Sequence, residues 1–151
     1  MTRPDIAFAD GEAEVRACFP LMRELRPHLT CEDEFVARWR RQKAASYRLL
    51  VLSEDSRPAA LAGFRAQENL VHGRHLYVDD LVTRADRRGA GHGAALMDRL
   101  KQEAAEIGCE KLLLDTPMNN FLGHRFYFRQ GLLATALRFS FDRAPAHAGS
   151  R

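Results

Sequence analysis

The run Arg87-Arg88-Gly89-Ala90-Gly91-His92-Gly93-Ala94 constrains this chain more than any other stretch. Its glycines alternate between a strand-like segment, His75 to Thr83, and a helical one, Gly91 to Ile107. In the latter, Leu96, Leu100, Ala104 and Ile107 recur on one face. Glycine lets backbone approach a ligand closely, and a helix start offers unpaired N–H groups with the positive end of its dipole. Arg87 and Arg88 add charge. Strand, glycine turn and helix in this order predict a pyrophosphate site rather than a plain surface turn.

The rest of the chain supplies a sheet for that turn. Ile6 to Phe8 reads as a short strand. Asp10 and Gly11 open a helix through Val15, Phe19, Leu21, Met22 and Leu25, with a kink or break expected at Pro20 and an end at Pro27. Thr30 and Asp33 resemble a capping box with Asp in place of Glu, starting a helix to about Ala45. Tyr47–Leu52 and Ala59–Ala66 are strand-like around the turn 54–58. After the long helix, closed by Gly108, Leu112–Leu114 is expected as a central buried strand. Asn120–Gln130 is a short helix ended by Gly131, and Leu132–Phe141, with Leu137, Phe139 and Phe141 alternating, is expected as the closing strand. The fold class is α/β, an α+β arrangement with a mixed sheet and helices on its faces. One domain is expected over 1–143, with a flexible tail over 144–151.

Length and composition narrow the function classes. A chain of 151 residues suits one domain and buries a core without metal or disulfides. The net charge of +3 gives no argument for nucleic acid, and the basic run Arg38 to Lys43 reads as a solvated helix face around one buried Trp39. Cys18, Cys31 and Cys109 are odd in number and lack metal-ligand spacing, as expected of a reduced cytoplasmic protein without a metal site. No apolar run reaches the roughly 18 residues of a membrane span.

Which phosphate ligand the turn takes is a separate question. Gly89-x-Gly91-x-x-Ala94 fits a dinucleotide fingerprint, and Asp115 ends a strand about 20 residues on. Against this, Arg84 to Arg88 intervene after Thr83, so the loop is longer and charged. The unit would also begin half way along the chain, leaving little room for a doubly wound sheet. There is no Gly-Lys-Ser/Thr of a P-loop.

Leu81-Val82-Thr83-Arg84-Ala85-Asp86-Arg87-Arg88-Gly89-Ala90-Gly91-His92-Gly93 resembles the acetyl-CoA motif of the GNAT N-acetyltransferases, with Arg88, Gly91 and Gly93 at its fixed positions. Thr83 stands where Val is usual and Ala85 where Pro is common. Asn120 to Leu132 is similar to the family's second segment, Asn-x-x-Ala-x-x-Phe-Tyr-x-x-x-Gly-Phe, with Gly123 for Ala and Leu132 for Phe. The likeness spans about residues 5–142 and implies a central, mostly antiparallel mixed sheet. It implies acetyl-CoA as cosubstrate, with backbone of Leu81, Val82 and Thr83 pairing with the pantetheine arm. Amides of Gly89, Ala90, Gly91, His92, Gly93 and Ala94 would hold the pyrophosphate, Asn120 would bond near the thiol end, and Tyr127 would sit by the sulfur. His92 is expected to offer only its backbone.

Acetyl transfer to an amine needs a base, a donor for the oxyanion and an acid for the thiolate. A backbone N–H at Leu81 or Val82 suits the oxyanion, and Tyr127 suits the acid, since phenol and thiol have similar pKa values. Asp79 and Asp80 are unexpected in an apolar strand. Adjacent strand residues point to opposite faces unless a bulge turns one. Either carboxylate is a candidate base or substrate contact; the alternative is an ion pair with Arg74 or Arg84. The acidic pair favours a cationic small-molecule amine such as a polyamine or aminoglycoside, or a lysine side chain. The stretch Gly123–Gly131 also looks like aminoalkylphosphonate acetyltransferases, for which Arg23, Arg26 and His28 would meet an anionic end. A non-catalytic acyl-CoA-binding module and a dinucleotide-binding protein are the rival classes. A homodimer is compatible with the sequence but not dictated by it.

Overall fold

The computed structural model describes residues 4–144. The chain gathers into two compact units, one ending at Leu114 and one beginning at Asp115.

The first unit is built on five strands in the order β1 (Asp5–Phe8), β2 (Tyr47–Glu54), β3 (Arg57–Asn69), β4 (Gly73–Thr83) and β5 (Lys111–Leu114). Neighbours are antiparallel except β4 and β5, which run parallel. A parallel pair needs a crossover, and here it is helix α4 (His92–Ile107). Asp55 and Ser56 both have positive φ, which gives the tight turn between β2 and β3 the hand that hairpins favour.

Alternation along β2 sorts the core into two layers. Tyr47 and Leu49 join Val15, Met22, Phe35, Val36 and Trp39 from three helices, α1 (Glu12–Ala17), α2 (Phe19–Leu25) and α3 (Glu32–Ala44). Leu50 and Leu52 point the other way, to the face where α4 buries Leu96, Met97, Leu100 and Ala104. The first helical stretch breaks at Cys18 rather than at Pro20 itself. Proline lacks an N–H, and so settles into the first turn of α2, where none is needed. Cys31 rather than Thr30 caps α3. Thr30 N–H and hydroxyl instead both donate to Glu34, at 2.8 and 2.7 Å, while Asp33 pairs with Arg16 at 2.7 Å. The basic run behaves as a solvated face: Trp39 is buried, Arg38 pairs with Glu34, Arg40 pairs with Glu12, and the Lys43 ammonium lies over the Trp39 ring.

Two strand expectations are corrected. Leu112–Leu114 is not central: β5 ends the strand order and its leucines are only half-buried. A short apolar run looks the same in either place. Residues 132–141 form no strand, and Leu137, Phe139 and Phe141 are exposed. Their alternation records a two-faced segment, but among the described residues of the second unit the only helix or strand is α5 (Phe121–Arg129). The tail expected over 144–151 lies, beyond Ala144, outside the described residues. Among the described residues no helix is long and apolar enough to cross a membrane, and no cluster could hold a metal ion.

Candidate active site

The β3–β4 register slips between Gly63 and Phe64: Gly63 faces Asp80, but Phe64 faces Val78. Asp79 is therefore the extra residue of a bulge. This is the one local geometry that lets two successive side chains share a face, and both carboxylates line the same cavity. The expected partners Arg74 and Arg84 are not used. Asp79 takes a bidentate pair from Arg65, with Nε at 2.9 Å and Nη2 at 2.7 Å. Asp80 takes Arg26 Nε at 2.9 Å on Oδ1 and the Tyr47 hydroxyl at 2.7 Å on Oδ2. Arg26 Nη2 also donates to the Asp79 carbonyl at 2.7 Å. Arg84 turns instead to Asp86 and the Pro58 carbonyl.

Tyr47, Arg65 and Gly63 were not legible as site residues. Tyr47 lies across Gly63 so closely that a Cβ there would sit 1.9 Å from its hydroxyl oxygen. A glycine inside a strand marks a bulge or a close approach, and that was the available signal. Burial, then the neighbouring Asp80 charge, push the Tyr47 phenol well up, so it stays a donor. The Arg65 guanidinium is likewise pushed up, first by its hydrogen bond to Asp79.

The cavity beside this bulge has a volume of about 410 Å³. Met22, Leu29, Phe35 and Trp39 give it an apolar wall, while Arg26, His28 and Arg38 stand at it with the two aspartates. Arg23 does not line it.

Beyond the bulge, β4 opens. Its pairing with β5 ends at Val78 and Leu114, while its other side continues against β3 to Thr83 and Ala60. Leu81, Val82 and Thr83 therefore keep one strand edge without a partner strand among the described residues. An extended ligand arm can add to such an edge.

The glycine turn follows after one turn of 3-10 helix, Ala85–Arg87. Gly89 and Gly91 have φ of +83° and +85°, which favours glycine, and a Cβ at either would meet nothing within 4 Å. Gly91 caps α4 with no side-chain bond, and no acidic residue stands in the first turn. The first helical bond is Ala95 N–H to the Gly91 carbonyl at 3.0 Å, so the amides of His92, Gly93 and Ala94 have no partner within the helix. Arg88 is exposed and pairs with no described residue. The turn is held from behind by Glu54 at the end of β2. Arg87 Nη2 donates to it at 2.8 Å, and His92 Nε2 lies 2.5 Å from its Oε1. The His92 ring is thus buried away from the turn, and the hydrogen bond from Arg87 holds the Glu54 carboxyl below its usual range. Free amides, two glycines in the left-handed region and one free arginine fit a diphosphate.

In the second unit, Asn120 caps α5. Its Oδ1 accepts from the Gly123 N–H at 3.2 Å, and its Nδ2 donates to Thr116 at 3.0 Å. Tyr127 is half-buried against Phe126, with ring centroids 5.4 Å apart, and burial pushes its phenol up. His124 contacts the Pro117 carbonyl at 3.0 Å.

A mixed sheet whose fourth strand opens beside an amide-rich glycine turn defines a coenzyme A-binding acyltransferase fold. The family model described as "Acetyltransferase (GNAT) family" matches residues 13–132. The chain belongs to that family and is an acetyl-CoA-dependent acetyltransferase. It is 32% identical over 109 residues to YhdJ of Bacillus subtilis (strain 168), named an uncharacterized N-acetyltransferase, covering 72% of this chain and 77% of that one. The structure of a Trypanosoma brucei acetyltransferase matches with a TM-score of 0.78 at 21% identity, covering 93% of this chain and 99% of that one. AAC(6')-Iy, solved with the bisubstrate analogue CoA-S-monomethyl-acetylneamine, matches with a TM-score of 0.82 at 14% identity, covering 95% and 100%.

Proposed function

We propose that this protein moves the acetyl group to a primary amine of a small molecule or a protein by direct attack within a ternary complex. The observation that carries this reading is adjacency along β4. The bulged pair Asp79 and Asp80 runs directly into the open edge Leu81–Thr83, so acceptor chemistry and cofactor edge lie on one strand. When bound, acetyl-CoA supplies a thioester carbonyl that amines attack.

The chain's own residues then divide the work. Backbone of Leu81, Val82 and Thr83 pairs with the pantetheine arm. Amides from Gly89 to Ala94, with Arg88, hold the pyrophosphate. A backbone N–H at Leu81 or Val82 faces the developing oxyanion. Asp79 or Asp80 accepts the amine proton through water, at an oxygen that retains a lone pair beside the donor it already has. Asn120 bonds near the thiol end. Tyr127, its phenol held protonated by burial, is the acid for the departing thiolate. The protein works as one acetyltransferase domain over 1–143 in the cytoplasm, alone or as a homodimer.

A thiol-release assay with acetyl-CoA and a panel of primary amines tests this. Turnover is expected with at least one amine, and Tyr127→Phe should lower kcat by about tenfold or more while coenzyme A affinity holds. A chain that binds coenzyme A yet releases no thiol with any amine would be an acyl-CoA-binding module instead.

A further inference from the structure

A carboxylate that takes a proton changes what it asks of its neighbour, because the oxygen that accepted a hydrogen bond now donates one. A guanidinium cannot follow that change, having five N–H donors and no acceptor, whereas a phenol can turn from donor to acceptor. The four carboxylate oxygens at the bulge divide on this point. Both oxygens of Asp79 face Arg65, with Nε at 2.9 Å and Nη2 at 2.7 Å. Asp80 Oδ1 faces Arg26, with Nε at 2.9 Å. Asp80 Oδ2 accepts instead from the Tyr47 hydroxyl at 2.7 Å. Of the four, it alone has a partner among the described residues that can reverse its role. Gly63, opposite Asp80 in the β3–β4 register, leaves the room that the phenol occupies. Asp80 also directly precedes Leu81, where the edge proposed for the pantetheine arm begins.

Resting on the acetyltransferase reading above, we infer that Asp80 is the carboxylate that takes the amine proton, at Oδ2, and that Tyr47 is its positioning residue. An N–H bond of the substrate ammonium breaks, its proton passes through one water, and a new O–H bond forms at Oδ2. The nitrogen lone pair so released is the one that acetyl transfer requires. Asp80 then donates to the Tyr47 oxygen, and the phenol turns its own hydrogen toward that water. Tyr47 is buried, and burial first of all pushes its phenol well up, so it keeps its proton throughout. Asp79, held at both oxygens, anchors Arg65 to the bulge instead.

Thiol release from acetyl-CoA with propylamine, phenethylamine and 1,4-diaminobutane, followed between about pH 7 and 9, tests the inference. These amines are mostly protonated there, so an enzyme with a working base has a kcat/KM that varies little with pH. Asp80→Asn should lower kcat/KM at neutral pH by on the order of 100-fold. Its rate should then climb about tenfold per pH unit as free amine appears. Tyr47→Phe keeps the ring against Gly63 and should lower kcat several-fold with little change in KM, along a similarly steepened profile. Asp79→Asn should keep the shallow profile at whatever rate it retains. Around Asp80 the cavity carries Arg26 and His28 from beyond α2, Arg38 from α3, Tyr47 from β2, and Tyr77 and Asp79 from β4, with Arg65 of β3 paired to Asp79. Guanidiniums and phenols largely keep their protons over this range and an imidazole titrates just below it, so His28→Gln is the control and should stay shallow. Without acetyl-CoA, the Asp80 carboxyl resonance of 13C-aspartate-labelled protein, assigned by its loss in Asp80→Asn, should move in Tyr47→Phe at neutral pH. Melting temperatures check that each variant folds, and Tyr47→Phe tests the step by itself if Asp80→Asn does not. A shallow profile in Asp80→Asn, or a steep one in Asp79→Asn or His28→Gln, overturns the assignment while leaving acetyl transfer standing. Wild-type kinetics or an unmoved carboxyl resonance in Tyr47→Phe overturns the role given to Tyr47. Absence of thiol release from the wild type with every amine of the panel overturns the acetyltransferase reading and this inference with it.

Discussion

The missing side chain at Gly63 decides where Tyr47 can lie. A Cβ there would stand 1.9 Å from the Tyr47 hydroxyl and 2.8 Å from the nearer ring edge, so the ring itself would have to move. Tyr47 is buried between β3 and the three helices, which leaves it nowhere to go without disturbing their core. Gly63→Ala should cost about 1–3 kcal/mol by urea denaturation, and it should weaken the bond from Tyr47 to Asp80. At this scale the sequence showed the chemistry better than its wiring. Asp79 and Asp80 stood out because charges are rare in apolar strands, and the need for a bulge followed from strand alternation. Their partners did not stand out. Arg26 reaches Asp80 from 54 residues away and Arg65 reaches Asp79 from 14, and pairing across a sheet or between helix and sheet leaves no local pattern.

Helix ends and turns are fixed by a few charged contacts. Glu54 holds Arg87 before the glycines and His92 after them, so one carboxylate fixes both ends of the turn. Glu54→Gln keeps the shape but loses the charge that both partners meet. It should raise KM for acetyl-CoA several-fold with a smaller effect on kcat, as initial-rate kinetics will show. At α3 the Thr30 N–H bond is the main cause that depresses the Glu34 carboxyl from 4.5 to about 2. A depressed carboxyl stabilises the fold above its unfolded value and loses that stabilisation as pH falls through its folded one. Melting temperature should therefore decline between about pH 4.5 and 2, and less so in Glu34→Gln. The glycine turn, α4 with its Gly108 cap, and α5 with its Asn120 and Gly131 boundaries were legible because glycine and periodicity act locally. The Thr30 box was misread because Glu34, one residue further on than the motif allows, takes both Thr30 donors.

Across the molecule, five strands in simple order with one parallel pair leave β4 open on one side after Val78. That opening, rather than any single side chain, is what the proposed cofactor site rests on, and the strand and turn on either side of it were visible in the residues. The position of Leu112–Leu114 and the state of residues 132–141 were not, because apolar alternation tells which faces a segment has but not which neighbour it finds. The central claim is that the open edge and the amides after Arg88 hold coenzyme A. Backbone amide NMR with added coenzyme A tests it most directly. The largest shifts are expected at Leu81–Thr83 and Gly89–Ala94. Unchanged amides there at millimolar coenzyme A, with the protein folded, would contradict the claim.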